Sequence, residues 1–301
     1  MNTNPSFIAL ALTGACLIGL SVYSSPGMAL ITKPCDQRGA GKALDEAKCA
    51  GRTADTFPGA DEDYFQDMDY GVTKNPAALA ATLAPYAPGI TADAAVKAAA
   101  IGRNNWIVWT AGNDYFWNRL GYESRGNLDF LKTISSHPSL KHSRSNRWNY
   151  LGLVNEPCFE KPTKPREDRF GLWLDTRSKD CPADPFENEA KYPGVKIGAR
   201  GKNIPVGSYY GYATGIVGVR LFPNPDFDEK AQKNWDPIRY YTDEKYYNNK
   251  NLVKPYRVGM SCGFCHVGPN PTNPPADPEN PKWENLSSNP GAQYFWIDRI
   301  F

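Results

Sequence analysis

The chain has 301 residues, of which 34 are Lys or Arg and 32 are Asp or Glu, so its formal net charge is only +2. This balance excludes the basic surface that nucleic-acid binding or attachment to an anionic membrane requires, and we expect no nucleic-acid partner. The length suits one large or two ordinary domains, and 13% aromatic residues argue against disorder, although 26 Gly and 26 Pro predict long irregular connections.

Residues 1–29 have the features of a signal peptide. Residues 7–23 are mainly apolar and are followed by small residues up to Ala29, which is typical of a secretory leader and its cleavage site. Residues 1–6 lack the Lys or Arg of a usual leader, so an uncleaved anchor, at the short limit for spanning a bilayer, is the alternative. We expect a periplasmic or otherwise exported protein that contacts a membrane only if this segment is retained.

Export changes the interpretation of the seven cysteines, because disulfides persist in oxidising compartments. Cys16 would be removed with the leader. Cys35 and Cys49 are successive cysteines in the sequence, as are Cys158 and Cys181, and a disulfide within either pair would close a short loop. We predict a disulfide in each of these two pairs.

Helix signals dominate the chain up to residue 150. Asn75 and Thr91 have side chains that are preferred at helix N-caps, and Pro76 suits a first helical position. We predict helices over 75–83, over 91–120 with an interruption near Gly112, and over 127–134.

Two features of this helical region have competing interpretations. The acidic stretch 61–70 lacks the spacing of an EF-hand calcium loop, and we interpret it as the solvated end of a helix. Four aromatic residues at helical spacing are interpreted as core, with a haem edge or a substrate channel as the alternative: Trp106, Trp109, Phe116 and Trp117.

Prolines exclude long helices after residue 155, and residues 209–221 predict a short strand or hairpin. The change near Leu151 divides the exported chain into a helical region, 30–150, and a loop-rich region, 151–301, which one core could include. The predicted fold class is mainly α with extensive irregular loops and a small β hairpin.

Residues 262–266 form a C-x-x-C-H motif. Covalent attachment of haem c needs two thiols spaced to reach two vinyl groups and an imidazole directly after the second thiol to bind iron. Cys262 and Cys265 supply the thiols, and His266 supplies the proximal ligand. Its other ring nitrogen should donate to a backbone carbonyl, for which the turn at 268–271 is close enough. We therefore predict one haem c and a haem-centred, cytochrome c-like core.

Two other sites use the same residues. A thioredoxin-like dithiol has the C-x-x-C spacing, but it should follow a buried strand and open a helix, and the sequence before Cys262 does not indicate such a strand. A structural Cys2His2 zinc site would combine Cys262 and Cys265 with His137 and His142, whose H-x4-H spacing suits it, but it leaves His266 without a role.

Electron-transfer cytochromes usually close the distal face of the haem with Met or His. No Met lies downstream of Cys265, and Met260 is too near the attachment site to cross to the opposite face. The candidates for the distal iron ligand are therefore His137 or His142, followed by Met68. If none of them binds, the open position predicts peroxide or oxygen chemistry.

Three passages, 102–117, 215–225 and 260–275, resemble large exported bacterial c-type cytochromes, which are distantly similar to the di-haem group that includes rubber-cleaving oxygenases and cytochrome c peroxidase-like proteins. The resemblance implies periplasmic haem chemistry with an oxidase, peroxidase or electron-transfer role. Di-haem members carry a second C-x-x-C-H motif, which this sequence lacks. Because the aromatic run 294–301 is unusual for a chain end, we expect the chain to continue in a longer parent.

These features together predict an exported c-type cytochrome that exchanges single electrons with a redox partner protein or with a small-molecule oxidant or substrate. A haem-dependent oxygenase or peroxidase with an open distal site is one alternative. A non-haem binding protein with a structural Cys2His2 zinc is the other. The sequence assigns no catalytic residue.

Overall fold

The computed structural model describes residues 52–124, 126–188, 190–192 and 209–300, all of them within one compact unit. The predicted leader with Cys16, and the predicted disulfide between Cys35 and Cys49, lie outside these residues. Within the described ranges, every helix is too short or too polar to traverse a bilayer.

The described elements are short. The α-helices are α1 (Pro76–Leu83), α2 (Ala92–Ile107), α3 (Asp114–Glu123), α4 (Phe130–Thr133), α5 (Arg147–Leu151), α6 (Glu229–Asn234), α7 (Pro237–Thr242), α8 (Glu244–Tyr247), α9 (Gly263–His266) and α10 (Ile297–Ile300). Additional 3-10 turns lie at Ala54–Thr56, Asp69–Lys74, Glu167–Arg169, Pro185–Glu187 and Trp283–Asn285. The strands are β1 (Phe159–Glu160), β2 (Thr176–Arg177), β3 (Tyr212–Ala213), β4 (Val219–Pro223), β5 (Tyr256–Met260), β6 (Val267–Pro269) and β7 (Leu286–Ser288).

The two predicted N-caps are confirmed. The side chain of Asn75 accepts a hydrogen bond from the amide of Ala78 at the start of α1, at 3.2 Å. The hydroxyl of Thr91 accepts from the amide of Ala94 at the start of α2, also at 3.2 Å. Each cap satisfies an amide that has no partner within its helix. The predicted interruption near Gly112 is the gap between α2 and α3.

The third predicted helix, over 127–134, is shorter than expected. It is the single turn α4, which begins where the Asp129 carboxylate accepts from the amide of Leu131 at 3.1 Å. The same carboxylate accepts from the hydroxyl of Tyr240 at 2.8 Å and from Nζ of Lys254 at 2.7 Å. Because these partners are more than 100 residues away in sequence, the length of this helix depends on tertiary contacts.

The interpretation of residues 61–70 as a solvated helix end is wrong. The segment is a series of turns, and two of its carboxylates bind Arg103, whose side chain is only 4% exposed. Asp63 accepts from Nη1 of Arg103 at 3.0 Å, and Asp69 accepts from its Nε at 2.9 Å. Asp63 and Asp69 are therefore counter-charges for a buried guanidinium, whereas Asp61, Glu62 and Asp67 pair with lysines at the surface.

The strands form small antiparallel sheets. The predicted hairpin at 209–221 is the pair β3 and β4, which β5 extends to a three-stranded sheet in the order β3-β4-β5. Val219 lies opposite Met260, and Leu221 opposite Val258. β1 pairs with β2, and β6 with β7. The described fold therefore mixes short helices with three small sheets and long loops, rather than being mainly α with one hairpin.

The core consists of two clusters that include residues from both halves of the chain. The predicted division near Leu151 falls at the end of α5, inside the first cluster. That cluster includes Leu128, Leu151, Leu221 and Phe264, and the second includes Phe65, Met68, Ile107 and Val267. The C-x-x-C-H turn lies where they meet, because Phe264 belongs to one cluster and Val267 to the other.

The predicted disulfide between Cys158 and Cys181 is confirmed, with the two Cα atoms 5.6 Å apart. It closes a loop that carries β1 and β2. The carbonyl of Cys158 also accepts from the amide of Ser178 at 2.9 Å. The bridge therefore lies at the edge of a hydrogen-bonded strand pair.

A buried ionic group connects this loop to the centre of the molecule. The Asp175 carboxylate accepts from Nη1 of Arg147 at 2.8 Å and from Nη1 of Arg144 at 3.1 Å. Arg144 also donates to the carbonyls of Gly215 and Glu156, at 3.1 and 2.9 Å. The side chains of Asp175 and Arg147 are fully buried. Arg144 therefore uses one guanidinium to hold two backbone segments together.

Replacing Asp175 with Ala should destabilise the protein by about 3–5 kcal/mol, because it leaves two buried guanidinium groups without their carboxylate. Urea unfolding measures this change. The matched control is Glu123→Ala, which removes the partner of Arg119 in an ion pair exposed by more than half. The control should cost less than about 1 kcal/mol. Equal effects for the two variants would contradict the structural role of Asp175.

Candidate haem-attachment site

The C-x-x-C-H motif is a single helical turn between two strands. β5 ends at Met260, α9 covers Gly263–His266, and β6 follows directly. The amides of Cys265 and His266 both donate to the carbonyl of Cys262, at 3.2 Å. Cys262 is exposed, Cys265 is half-buried, and both are free thiols. One turn of backbone therefore places the two thiols and the imidazole together.

The tautomer of His266 follows from its hydrogen bond. Its Nδ1 lies 2.6 Å from the carbonyl oxygen of Ala292. A carbonyl only accepts, so Nδ1 carries the proton and Nε2 holds the lone pair. Among the described residues, Nε2 has no hydrogen-bond partner. The ring nitrogen that a metal would use is therefore the one left free.

The sequence predicted a carbonyl acceptor for His266 but assigned it to the wrong segment. The turn at 268–271 does not supply it, because Val267–Pro269 continues as β6 and pairs with Leu286–Ser288. The acceptor comes from Ala292, after the chain has returned along β7. A return over 26 residues leaves no local signal at Ala292.

Residues 286–296, here called the strap, cover the turn. The amide of Asn289 donates to the carbonyl of His266 at 2.7 Å, and the amide of Tyr294 donates to that of Cys265 at 3.1 Å. The ring of Phe295 stacks on Phe264, with centroids 5.4 Å apart. The strap therefore satisfies the last carbonyls of α9, which have no partner within the helix.

The opposite side of the turn packs against Gly218, where only glycine fits both the left-handed backbone and the close contact. Gly218 has a φ of +78°, and a Cβ there would lie 2.1 Å from the amide nitrogen of Phe264. Its carbonyl accepts from the amide of Ser261 at 2.8 Å. The hydroxyl of Ser261 donates to the carbonyl of Ile107, at the end of α2, at 2.7 Å. The loop before β4 and the end of α2 thus fix the start of the motif.

Asn113 holds the strand that enters the motif. Its amide nitrogen donates to the carbonyl of Met260 at 2.6 Å, and its oxygen accepts from the Met260 amide at 3.0 Å. One side chain therefore pairs with both backbone groups of the last residue of β5, as a neighbouring strand would. Sequence reasoning missed this residue, because an Asn after a Gly indicates only a turn.

Trp106 lies beside His266, the candidate iron ligand, and its indole nitrogen has no hydrogen-bond partner among the described residues. Its ring centroid lies 5.8 Å from that of His266. Its Nε1 is buried and has no hydrogen-bond partner within the part of the chain that the structure describes. A buried donor without an acceptor is costly, so such groups often mark a missing ligand or water. Haem carries acceptors in its propionates, and the residues at this turn therefore fit a bound haem.

The other predicted aromatic residues have different surroundings. Trp109 packs with the second core cluster and Trp117 with the first. Phe116 is 56% exposed. The interpretation as core therefore holds for the two tryptophans and fails for Phe116.

The two candidate distal histidines have partners in other elements. Nδ1 of His137 lies 2.7 Å from the hydroxyl of Ser139, and its ring stacks on Tyr241 at 4.2 Å. Nε2 of His142 lies 3.1 Å from the carbonyl of Lys132. Burial lowers the pKa of both imidazoles. Distal ligation by either one stays a prediction.

The described residues contain no group of three or more His, Cys, Asp and Glu side chains arranged to hold a metal ion. The four ligands of the predicted Cys2His2 zinc site are therefore not brought together in this structure. His137 and His142 instead contact Ser139 and Lys132.

The sequence indicated no buried strand before Cys262, and this prediction is wrong. All five residues of β5 are buried, and α9 begins three residues after its last residue. The length of the helix supplies a better argument. The attacking thiol of a redox dithiol is the exposed first cysteine, here Cys262, and it is activated at a helix N-terminus, but a helix of four residues is too short to supply a strong dipole. Burial raises the pKa of the second thiol, Cys265, to about 11, and the neighbouring Cys262 adds to the effect.

Comparison with protein-family models, curated proteins and solved structures finds no match to this chain. The resemblance of residues 102–117, 215–225 and 260–275 to exported c-type cytochromes therefore stays a prediction. Function is inferred below from the geometry of the site.

Replacing Gly218 with Ala should destabilise the turn, because the new Cβ would collide with the Phe264 amide and the left-handed backbone disfavours Ala. We expect a loss of more than about 2 kcal/mol in urea unfolding, since the strain and the collision add. The control is Gly102→Ala in α2, where a Cβ meets no atom within 4 Å. It should stabilise the protein by about 0.5–1 kcal/mol. A Gly218→Ala variant as stable as the control would contradict the close packing.

Alkylation of Cys265 in the unloaded chain should be slow and should accelerate with pH without reaching a plateau between about pH 7 and about pH 10, because only the thiolate reacts. Peptide mass spectrometry separates Cys265 from the other cysteines. In urea the profile should shift toward the ordinary thiol pKa of about 8.5, because burial is lost. A plateau below about pH 8 at Cys265 in the folded chain would contradict the burial of this thiol.

Proposed function

We propose that this protein is an exported c-type cytochrome that transfers single electrons, with one haem c attached to Cys262 and Cys265 and ligated by His266. One observation carries the proposal. His266 donates from Nδ1 to the Ala292 carbonyl, which leaves Nε2 without a partner among the described residues, at the same helical turn as two free thiols. Haem c attachment needs these three groups on one turn.

The two thiols of the motif are not joined to each other, whereas Cys158 and Cys181 lie at disulfide distance. Both thiols are therefore available for attachment. Addition of each S–H group across one haem vinyl group would consume both thiols and form two thioether bonds without an oxidant.

His266 would act as the proximal ligand. Its hydrogen bond to Ala292 fixes the plane of the ring and raises the basicity of Nε2. The strap and the Gly218 loop restrict the turn from two sides, so the ligand would move little between oxidation states. The haem would supply the Fe(III)/Fe(II) couple.

Trp106 would contribute a polar contact to the same group. Its buried Nε1 is a donor without an acceptor, and its ring neighbours that of His266. A haem propionate is an acceptor of matching chemistry. Hydrogen bonding there would remove the cost of the unpaired donor.

Export is supported by two features. The Cys158–Cys181 disulfide suits an oxidising compartment, and residues 1–29 have the pattern of a leader. Maturation of c-type haem in the periplasm would then supply the attachment step. The electron-exchange partner would be a redox protein or a small-molecule oxidant or substrate.

A haem-dependent oxygenase or peroxidase is the second candidate. The contacts of His137 and His142 favour it, because both imidazoles already have hydrogen-bond partners elsewhere. Met260 is buried in the first core cluster. If no side chain occupies the distal position, small molecules would reach the iron.

Protein matured in a periplasm with c-type haem assembly should show covalent haem and a c-type pyridine haemochrome band. Cys262→Ala combined with Cys265→Ala should abolish haem that survives denaturation, because both thioether bonds are lost. The control is Cys158→Ala with Cys181→Ala, which should keep covalent haem despite lower stability. Absence of the c-type band in the unaltered protein would contradict the proposal.

The same preparation separates the two candidates. A six-coordinate low-spin spectrum in both oxidation states, without binding of CO or cyanide, supports the electron carrier. Binding of CO to the reduced protein supports the oxygenase or peroxidase. Loss of the low-spin spectrum in a His137→Ala or His142→Ala variant would identify the distal ligand.

A further inference from the structure

Three consecutive residues beside the strap have left-handed backbone. Asp69, Tyr70 and Gly71 have φ values of +54°, +63° and +63°. Only glycine adopts this conformation freely, so the surroundings must determine it at Asp69 and Tyr70. Tyr70 is 59% exposed, so packing of its ring does not account for the strain. The reason lies with Asp69.

The Asp69 carboxylate joins two elements. Its Oδ1 accepts from the amide of Ser288, in β7, at 2.6 Å. Its Oδ2 accepts from Nε of Arg103, in α2, at 2.9 Å. The Arg103 side chain is buried and also binds Asp63, so it cannot follow Asp69 outward. The carboxylate therefore anchors the start of the strap to a fixed point on α2.

The anchored residue is close to the hydrogen bond of His266. Ser288 pairs with Val267, which directly follows His266. The next residue, Asn289, donates its amide to the carbonyl of His266 and accepts from the amide of Ala292 at 2.9 Å. Ala292 then accepts from Nδ1 of His266 at 2.6 Å. The path from Asp69 to the imidazole is thus a series of direct contacts.

We propose that Asp69 is a positioning residue for His266. It holds the strap so that the Ala292 carbonyl meets Nδ1, and this selects the tautomer and the direction of Nε2. The part that concerns iron rests on the proposed function. The part that concerns the hydrogen bond does not, because it involves only this chain.

Loss of the Asp69 carboxylate removes the acceptor of the Ser288 amide and loosens the start of the strap, although its bonds through Asn289 and Tyr294 remain. The bond from Nδ1 to Ala292 then weakens, and the imidazole becomes less basic. A less basic axial ligand donates less charge to the iron, and this weakens the stabilisation of Fe(III) more than that of Fe(II). The midpoint potential of a loaded protein should therefore rise.

The test variant is Asp69→Gly, which removes the carboxylate. Because glycine adopts the left-handed backbone without strain, the substitution should not by itself prevent folding. Asp69→Asn is a second variant that keeps one acceptor oxygen for Ser288 and should have a smaller effect. The control is Asp67→Asn, because Asp67 pairs only with the exposed Lys74 in the described contacts.

The first readout uses the unloaded full chain. In the unaltered protein, 15N NMR of labelled histidine should show His266 with the proton on Nδ1. In Asp69→Gly we expect a mixture of tautomers and at least tenfold faster exchange of the Asn289 amide. Asp67→Asn should leave both unchanged. Unchanged tautomer and exchange in Asp69→Gly would overturn the proposal.

The second readout uses the haem-loaded protein. In Asp69→Gly the midpoint potential should move to a more positive value, with the potential of Asp69→Asn between it and that of the unaltered protein. If no variant, including the unaltered chain, attaches haem while the tautomer still shifts, the proposed function fails and the positioning role stands. If haem attaches normally and neither readout moves, the positioning role fails and the function stands.

Discussion

The bond from Nδ1 of His266 to the carbonyl of Ala292 requires three separate parts of the chain to meet at one turn. The Gly218 loop presses against the amide side of α9, the end of α2 holds Ser261, and the strap closes the carbonyl side. The strap supplies the acceptor for the imidazole, and the other two parts hold the backbone of the turn in place. Together they fix its orientation, which is how a short turn between two strands can hold one side chain in a single position.

Buried charge keeps these parts in register. Arg144, Arg147 and Asp175 form one group, and Arg144 holds the carbonyl of Gly215 just before the loop that contacts the turn. A second group lies beside it, in which Arg220 and Arg177 bind Asp184. Glu156 faces this second group, and burial raises the pKa of its carboxyl to about 7. Removing Asp175 would leave Arg144 and Arg147 without their shared carboxylate, and removing Asp184 would do the same to Arg177 and Arg220.

The sequence predicted the features that depend on neighbouring residues. The caps at Asn75 and Thr91 and the disulfide closing the Cys158 loop each involve residues close in sequence. β5 was not predicted, because apolar and polar residues do not alternate along a strand that is buried on both faces, and because Pro255 precedes it. The roles of Ala292 and Asp69 were not predicted for another reason. They depend on partners that only the fold brings near, and neither residue type indicates such a partner in the sequence.

The exposure of Cys262 bears on how such a site would exchange electrons. A group attached to an exposed thiol on one side and a half-buried thiol on the other begins at the protein surface rather than within a closed cavity. Because the net charge is only +2, long-range steering of a charged partner would be weak. Exchange would then depend on contact at the surface and on the potential of the iron. The strap hydrogen bond to His266 is the part of this chain best placed to set that potential, so the same bond that orients the ligand would also tune its chemistry.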